Sequence, residues 1–167
     1  MVAIPYTVCF CLRGSQVLML YRKNPPNAAR WNGLGGRIED GETPLESVQR
    51  EIKEEAGIDL AGTGELSFTG LVTWDVGKDP TRPSSGMYTY LARLEPDFPT
   101  WPDRPMNEGL LSWKPLDWVC DPSNPAVVSN IPRFLPLMLA DPAPREYYCV
   151  YRWGKLREVI VQAMPPA

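Results

Sequence analysis

The segment at residues 36–58, GRIEDGETPLESVQREIKEEAGI, carries a complete set of signals for one helix. Thr43 and Glu46 form a Thr-x-x-Glu capping box, and Pro44 occupies the first helical position, where its missing N–H leaves no helical bond unmade. Gly57 supplies the stop, because glycine adopts the left-handed conformation past a helix end without a steric penalty. The sequence therefore predicts a helix that begins at Pro44 and ends before Gly57.

The predicted helix has two faces of different chemistry. At 100° per residue, four apolar side chains fall in one arc of about 80°, which we expect to pack on the core: Leu45, Val48, Ile52 and Ala56. The neighbouring arc of about 100° carries three carboxylates: Glu51, Glu54 and Glu55. Like charges at this spacing destabilise a helix by about 0.2–0.5 kcal/mol per pair, so they indicate a bound cation, the alternative being a solvated acidic face. Oxygen ligands without thiolate or imidazole suit Mg²⁺ or Mn²⁺.

The residues at 36–58 also resemble, without a mismatch, the Nudix box of the Nudix hydrolases, enzymes that split a diphosphate linked to another group. The resemblance implies that the backbone carbonyl of Gly36 and three glutamates bind divalent metal: Glu51, Glu54 and Glu55. One of these glutamates would accept the proton of the attacking water. By the same resemblance, Arg50 orients the carboxylates and Glu42 ties the preceding loop to the helix.

A further glutamate, Glu108, lies in Asn107-Glu108-Gly109 ahead of an apolar strand. This stretch resembles the loop that faces the box in Nudix enzymes, where a glutamate is an outer metal ligand or the general base. We therefore expect Glu108 to be catalytic, with an ordinary surface glutamate as the alternative.

Composition excludes several other kinds of site. The chain has no histidine, which rules out imidazole-dependent triads and HExxH zinc sites. Its cysteines form no C-x-x-C pair, so we expect reduced thiols rather than a zinc site: Cys9, Cys11, Cys120 and Cys149. A net charge of −3 and a pI near 5.1 argue against binding a nucleic-acid polymer. A small nucleotide remains compatible, because bound metal can neutralise its phosphates.

The strand pattern predicts one α/β (α+β) domain over residues 1–167. Apolar runs predict three strand pairs and one further short strand: 6–12 with 16–21, 66–74 with 87–94, 146–153 with 156–162, and 110–113. Asn130 ahead of Pro132 is predicted to cap a second helix that runs to about Leu139, with Pro136 either inside it or marking a late start. We therefore expect a mixed β-sheet sandwiched between helices, which the Nudix resemblance also implies.

No stretch approaches 18 uninterrupted apolar residues, and the start MVAIPYTVCF lacks a basic region. We therefore expect a cytoplasmic protein that acts away from membranes. The sequence implies neither an organic cofactor nor an obligate protein partner.

Residues outside the box resemble the MutT-type and animal-type oxidised-purine nucleoside triphosphate diphosphatases, most closely over RWNGLGGRIEDGE at 30–42. The resemblance implies that Asn32 and Asn130 read the base and that Trp74 and Met87 line its pocket. The alternatives are a turn role for Asn32 and a core role for Trp74. A small gap in the alignment would place Asp121 or Asn124 at the second base-reading position instead of Asn130. Pro26 departs from the aromatic expected in the animal type.

Several residues near the box are candidates for contact with the phosphates and sugar. The same resemblance covers Thr7, Arg22 and Lys23, which we expect to bind substrate, and Arg30 and Arg37 are further basic candidates. Each of the basic residues is alternatively an ordinary surface charge.

The expected reaction is metal-dependent hydrolysis of a nucleoside triphosphate to a monophosphate and pyrophosphate, with 8-oxo-dGTP as substrate. The main alternative is a Nudix hydrolase for ADP-ribose, a dinucleotide or a dinucleoside polyphosphate. An isoprenoid diphosphate isomerase would have an altered box and a histidine, and a Nudix-like regulator would have a degraded box. The intact box argues against these last two.

Overall fold

We describe the chain from a computed structural model that covers residues 3–25, 27–62, 64–75, 79 and 81–167. These residues form β1 (Tyr6–Arg13), β2 (Gln16–Arg22), β3 (Trp31–Asn32), β4 (Leu34–Arg37), α1 (Pro44–Ala56), β5 (Glu65–Trp74), β6 (Ser85–Arg93), β7 (Arg104–Met106), β8 (Gly109–Pro115), α2 (Leu116–Val119), α3 (Ile131–Ala140), β9 (Arg145–Arg152) and β10 (Lys155–Ala163). Pro26, the predicted departure from the animal type, lies outside them.

The strands form one mixed sheet in the order β10-β9-β5-β6-β1-β2-β8-β7, and β3 and β4 pair with β2 and β1. Strand β1 runs parallel to β6, and β5 runs parallel to β9. The neighbours β1 and β2, β5 and β6, and β9 and β10 are antiparallel, as predicted for the three strand pairs. The short elements β3, β4, β7 and α2 were not predicted, because two to four residues carry no measurable periodicity.

A helix packs on each face of the sheet. The alternating side chains of β1 show the division: Val8 and Phe10 belong to one core cluster together with Phe134 of α3. Cys9 belongs to the other cluster, together with Ile52 of α1. We call these the α3-side core and the α1-side core. The predicted sheet between helices is therefore confirmed.

The four cysteines of the chain are free thiols, as expected. Cys9 and Cys11 lie on the same face of β1 in the α1-side core.

Helix α1 has the predicted ends. The Thr43 side chain accepts a hydrogen bond from the Glu46 N–H, the Glu46 side chain accepts one from the Thr43 N–H, and Gly57 has φ 71°. The prediction that Leu45 packs on the core is wrong, since Leu45 is 46% exposed. The buried arc is rotated toward Ser47 and Glu55, which leaves Leu45 at its margin.

Helix α3 begins at Ile131 and continues through Pro136, so the proline lies inside the helix. Asn130 occupies the position before the first helical residue, but its side chain makes no capping hydrogen bond. The predicted capping role of Asn130 is therefore wrong.

Within the described parts of the chain, no helix has both the length and the apolar character needed to cross a bilayer. The assignment of residues 1–167 to one domain stays a prediction.

Candidate active site

The guanidinium of Arg50 is the centre of a polar network at the exposed side of α1. Its Nε and Nη2 atoms donate to the two carboxylate oxygens of Glu42 over 2.6 and 3.0 Å. Its Nη1 donates to Glu51 over 3.0 Å and to Glu54 over 3.3 Å. Nη2 also donates to the Arg37 carbonyl over 3.1 Å, which fastens the end of β4 to the helix. One cation therefore holds three carboxylates that would otherwise repel one another.

The Arg50–Glu42 pair has bidentate geometry, which makes a strong charge-assisted contact. The hydrogen bond from Arg50 is the main cause that lowers the pKa of Glu42 to about 2, followed by the hydrogen bond from the Glu39 N–H. The same pair raises the already high pKa of Arg50 further. Glu42 therefore stays ionised and connects the loop before α1 to the helix.

Glu55 lies in a different environment from the other two carboxylates of α1. It is only 7% exposed, and its Oε1 accepts a hydrogen bond from the Gly35 N–H over 3.1 Å. Its Oε2 is buried without a hydrogen-bond partner. Removal from water raises the pKa of Glu55 to about 9, and the negative charges of Glu108 and Glu51 add to this effect. Glu108 and Glu51 are therefore close enough to act on Glu55.

Gly36 lies against the carboxylate of Glu51. A Cβ atom at position 36 would be 2.4 Å from Glu51 Oε1, which is too close for a real contact. Pairing of Gly36 with Thr7 of β1 holds the backbone in this place. Glycine is therefore required at position 36 if the backbone is to approach the carboxylate.

These residues fit a divalent cation of the Mg²⁺ class. The donors are oxygens without nitrogen or sulfur, as Mg²⁺ and Mn²⁺ prefer: Glu51, Glu54, Glu55, Glu108 and the Gly36 carbonyl. No group of three acidic side chains in the described residues is preassembled as a metal site, since Glu51 and Glu54 turn toward Arg50. The buried Oε2 of Glu55 has no hydrogen-bond partner by geometry, however, and a cation would compensate it.

Two cavities meet beside this carboxylate cluster. The proximal cavity, of about 660 Å³, includes Gly36, Glu51 and Glu108 in its wall. The distal cavity, of about 700 Å³, includes Asn130 and Tyr151. Both walls contain the same four residues: Asn27, Asn32, Trp74 and Met87. The cavities are therefore parts of one continuous cleft.

The predicted substrate-binding residues are distributed along this cleft. Thr7 and Arg22 line the proximal cavity, together with Arg37. Lys23 lines neither cavity, and its backbone N–H donates to the Glu108 carbonyl over 3.0 Å. Lys23 therefore contacts the loop that contains Glu108 rather than the cleft.

Asn32 and Trp74 each make a structural contact and also line the cleft. Asn32 Oδ1 accepts a hydrogen bond from the Gly33 N–H over 2.8 Å, as in a turn, although Asn32 also lines the cleft. Trp74 and Met87 are partly buried against the α3-side core while they line both cavities.

Of the three candidates for the second base-reading position, Asn130 lines the distal cavity and the other two do not. Asp121 accepts a hydrogen bond from the Ser123 N–H. Asn124 bonds to the Trp118 carbonyl and the Ala126 N–H. Both of these side chains stabilise their own loop.

Asn130 is held in place by neighbours on β9. It is 6% exposed, and its Oδ1 is buried without a hydrogen-bond partner. Burial raises the pKa of the Tyr151 hydroxyl to about 12, against hydrogen bonds from Ser129 and Asn130 that lower it. Burial likewise raises the pKa of the Cys149 thiol to about 12, against a hydrogen bond from Asn130. The amide nitrogen of Asn130 thus faces Tyr151 and Cys149, and its buried oxygen is left without a hydrogen-bond partner.

Several residues of the distal cavity were not found from the sequence: Ser129, Arg133, Tyr151 and Lys155. The alternating pattern of β9 and β10 indicated only a hairpin. Its position beside Asn130 follows from the parallel pairing of β9 with β5, for which the sequence gives no signal.

The family model described as "NUDIX domain" matches residues 4–138, which is more than half of the chain. The mixed-sheet architecture agrees with the fold that the sequence resemblance implied. The "mMutator MutT protein" from Bacillus halodurans has a solved structure with a TM-score of 0.65 and 24% identity, covering 93% of this chain and 95% of that one. This likeness supports the fold.

Two similar curated proteins match over shorter stretches. The oxidized purine nucleoside triphosphate hydrolase of Mus musculus is 38% identical over 66 residues, which cover 38% of this chain and 42% of that protein. The dihydroneopterin triphosphate diphosphatase of Escherichia coli (strain K12) is 42% identical over 45 residues, which cover 27% of this chain and 29% of that protein. The chain thus matches less than half the length of either relative.

Proposed function

Because the chain belongs to the NUDIX domain family, we propose that it is a metal-dependent hydrolase that converts a nucleoside triphosphate to a monophosphate and pyrophosphate. The proposed substrate is an oxidised purine nucleotide such as 8-oxo-dGTP. The proposed role is sanitation of the nucleotide pool, which keeps damaged bases out of DNA. The proposal includes the cytoplasmic location expected from the sequence and a small-molecule substrate rather than a polymer.

The main support for this proposal is that the proximal and distal cavities form one continuous cleft. Its proximal part contains Glu51 and Glu108, and its distal part contains Asn130. A cavity of about 660 or 700 Å³ has the usual size of a small-molecule site. A nucleotide fits this division, with its phosphates near the carboxylates and its base near Asn130.

The residues proposed to hold the metal are Glu51, Glu54 and Glu55, the Gly36 carbonyl and, as an outer ligand, Glu108. When bound, a divalent cation supplies charge neutralisation for the phosphates and favours ionisation of the attacking water. Glu108 is a candidate for accepting the proton of that water, and Glu55 is another once a bound cation has displaced its own proton. Arg50 keeps the carboxylates of Glu51 and Glu54 oriented through its hydrogen bonds.

The proposed preference for 8-oxo-dGTP rests on Asn130. Oxidation at C8 converts N7 of guanine from an acceptor into an N–H donor, which can bond to the unpaired Oδ1 of Asn130. Normal guanine would leave two acceptors facing each other. An unsatisfied buried polar group costs about 1–3 kcal/mol, which corresponds to roughly 5- to 150-fold discrimination. Asn130 can discriminate in this way only while its amide is prevented from flipping.

The two relatives with short matches are named for different substrates, so the alternative is a Nudix hydrolase for another nucleotide. The test is a comparison of kcat/KM, with Mg²⁺, for 8-oxo-dGTP, dGTP, 2-oxo-dATP, ADP-ribose and a dinucleoside polyphosphate. We expect 8-oxo-dGTP to exceed dGTP by at least about fivefold. We expect 2-oxo-dATP to be a weak substrate, because the resemblance places the single asparagine Asn130 where the animal-type enzymes carry a pair of acidic residues. Equal values for 8-oxo-dGTP and dGTP would reject the substrate assignment.

A further inference from the structure

We propose that the distal cavity also binds a second phosphate group, carried on the 3′ oxygen of the bound nucleotide. The ligand class is a nucleotide whose sugar bears a phosphate in addition to the diphosphate that is cleaved. This inference rests on the proposed function, because it uses the orientation of the nucleotide in the cleft.

Three basic residues from separate segments line the distal cavity: Arg30, Arg133 and Lys155. Among the described residues that line this cavity, none is acidic, although the chain as a whole has a net charge of −3. Arg30 uses Nη1 to bond to the Pro125 carbonyl over 3.2 Å, which leaves other guanidinium donors available. Over the described parts of the chain, the ion pairs found involve none of the three.

The amino end of α3 adds to this positive region. Ser129, Asn130, Pro132 and Arg133, at the start of the helix, all line the distal cavity. The first turn contains no acidic residue, and Asn130 does not cap it with its side chain. The partial positive charge of a helix amino terminus is therefore left without a negative partner from its own first turn.

A purine base does not account for this charge. In the proposed orientation, the base is read by the neutral amide of Asn130, and a neutral purine carries no charge for three cations to balance. The phosphates that are cleaved would then lie at the other end of the cleft, beside the carboxylates proposed to hold the metal. An anionic group in the distal cavity must therefore come from another part of the ligand.

The sugar supplies the point of attachment. In the proposed orientation it lies between the base and the 5′ phosphates, near the residues shared by both cavities: Asn27, Asn32, Trp74 and Met87. Its 3′ oxygen is the remaining position from which a substituent can reach the distal cavity. A volume of about 700 Å³ is in the range of a complete small-molecule site, so it can hold a phosphate as well as the base.

Binding calorimetry with three probes, in the presence of Mg²⁺, tests the inference: dGMP, deoxyguanosine 3′,5′-bisphosphate and the dinucleotide pdGpdA. We expect the bisphosphate to bind wild type about tenfold more tightly than dGMP, as a few charge-assisted contacts would give. A similar gain for pdGpdA would mean that a phosphodiester is accepted. A gain for the bisphosphate alone would mean that a terminal phosphate is required. A gain for both ligands and a gain for the bisphosphate alone would each support the proposal. Equal affinity of wild type for dGMP and the bisphosphate would overturn it.

Variants of the basic residues test which side chains cause the preference for the bisphosphate over dGMP. Arg133→Ala and Lys155→Ala should each reduce the bisphosphate preference, and the double variant should remove it while the affinity for dGMP stays within about twofold. Arg152→Ala is the matched control, because Arg152 lies in the same hairpin as Lys155 but does not line the cavity. If an alanine variant fails to fold, Arg133→Gln and Lys155→Gln provide the same test. An undiminished preference in the folded double variant would overturn the placement.

The two proposals can fail separately. A retained bisphosphate preference in a protein that does not hydrolyse 8-oxo-dGTP would reject the proposed substrate and support the phosphate site. Hydrolysis of 8-oxo-dGTP without any bisphosphate preference would support the proposed substrate and reject the phosphate site.

Discussion

The Nε atom of Arg50 donates a hydrogen bond of 2.6 Å to Oε1 of Glu42, and Nη2 donates to the second carboxylate oxygen. The contact crosses from the loop before α1 to the middle of the helix. It fixes the guanidinium so that its remaining Nη1 can reach Glu51 and Glu54. Glu42, which is not a proposed metal ligand, thereby sets the orientation of Glu51 and Glu54 through Arg50.

The Glu42 contact predicts a specific dependence of stability on pH. Because the folded pKa of Glu42 is lowered to about 2, ionised Glu42 stabilises the fold above the unfolded value of 4.5. This contribution is lost as the pH falls from 4.5 through 2. Urea unfolding of wild type and Glu42→Gln in EDTA should therefore show the variant less stable at about pH 7 and the difference shrinking by about pH 2.5. A difference that stays constant with pH would contradict the assignment.

Gly36→Ala should damage activity more than stability. The new Cβ would meet the end of the Glu51 side chain, which can move aside, rather than fixed backbone. Displacement of that carboxylate should lower kcat by at least about tenfold, since small misplacements of active-site groups have large kinetic effects. The melting temperature should fall by only a few degrees. Gly62→Ala is the control, because a Cβ there meets no atom within 4 Å.

Glu54→Gln and Glu55→Gln should each lower kcat by at least about two orders of magnitude while the fold stays intact, because both carboxylates are proposed metal ligands.

In EDTA neither variant should melt below wild type. The Glu54→Gln change relieves like-charge repulsion, while the amide oxygen can still accept from Arg50 and the exposed ion pair that is lost contributes little. The Glu55→Gln change replaces a carboxyl that is protonated in the fold up to about pH 9 but ionised above pH 4.5 when unfolded. Excess Mg²⁺ should raise the midpoint of wild type appreciably and those of the variants little. Full activity in EDTA would contradict the proposed dependence of activity on a divalent metal.

Tyr151→Phe should weaken base discrimination without abolishing hydrolysis. The Tyr151 hydroxyl bonds to the amide of Asn130, and its loss should allow that amide to flip. The ratio of kcat/KM for 8-oxo-dGTP over dGTP should fall by at least about threefold, and Asn130→Ala should lower it further. Tyr90→Phe, a buried tyrosine on the opposite face of the sheet, should leave the ratio unchanged. An unchanged ratio in Asn130→Ala would reject its role in reading the base.

Hydrolysis in ¹⁸O-labelled water identifies the bond that breaks. Attack at the β phosphorus should place the label in pyrophosphate, with unlabelled monophosphate as the other product. Label in the monophosphate would indicate attack at the α phosphorus. Release of orthophosphate alone would contradict the proposed reaction.

Local signals were sufficient for α1, whose start at Thr43 and Pro44 and stop at Gly57 depend on neighbouring residues. The same signals failed for Leu45, because an arc of about 80° does not specify how the helix is rotated on the sheet. Helix geometry also did not predict that Glu55 would be buried while Glu54 is 61% exposed. That difference depends on the distance of each side chain from β4.

The base end of the cleft was only partly predictable. The sequence offered Asn130, Asp121 and Asn124 as candidates, and the choice among them depends on which side chains their own loops use. Tyr151 could not be identified in advance, because it reaches Asn130 through sheet contacts between segments far apart in the chain.

The carboxylates of α1 and the distal cavity are supported by different cores, which lie on opposite faces of the sheet. This separation affects how the chain can evolve. Helix α1, with its carboxylates, packs on the α1-side core, whereas Trp74, Met87 and Tyr151 pack on the α3-side core. Substitutions that reshape the distal cavity can therefore accumulate on one face while the packing beneath the α1 carboxylates is left undisturbed. New substrates could be acquired by remodelling that face alone, so chains with the same box can diverge in the nucleotides they select.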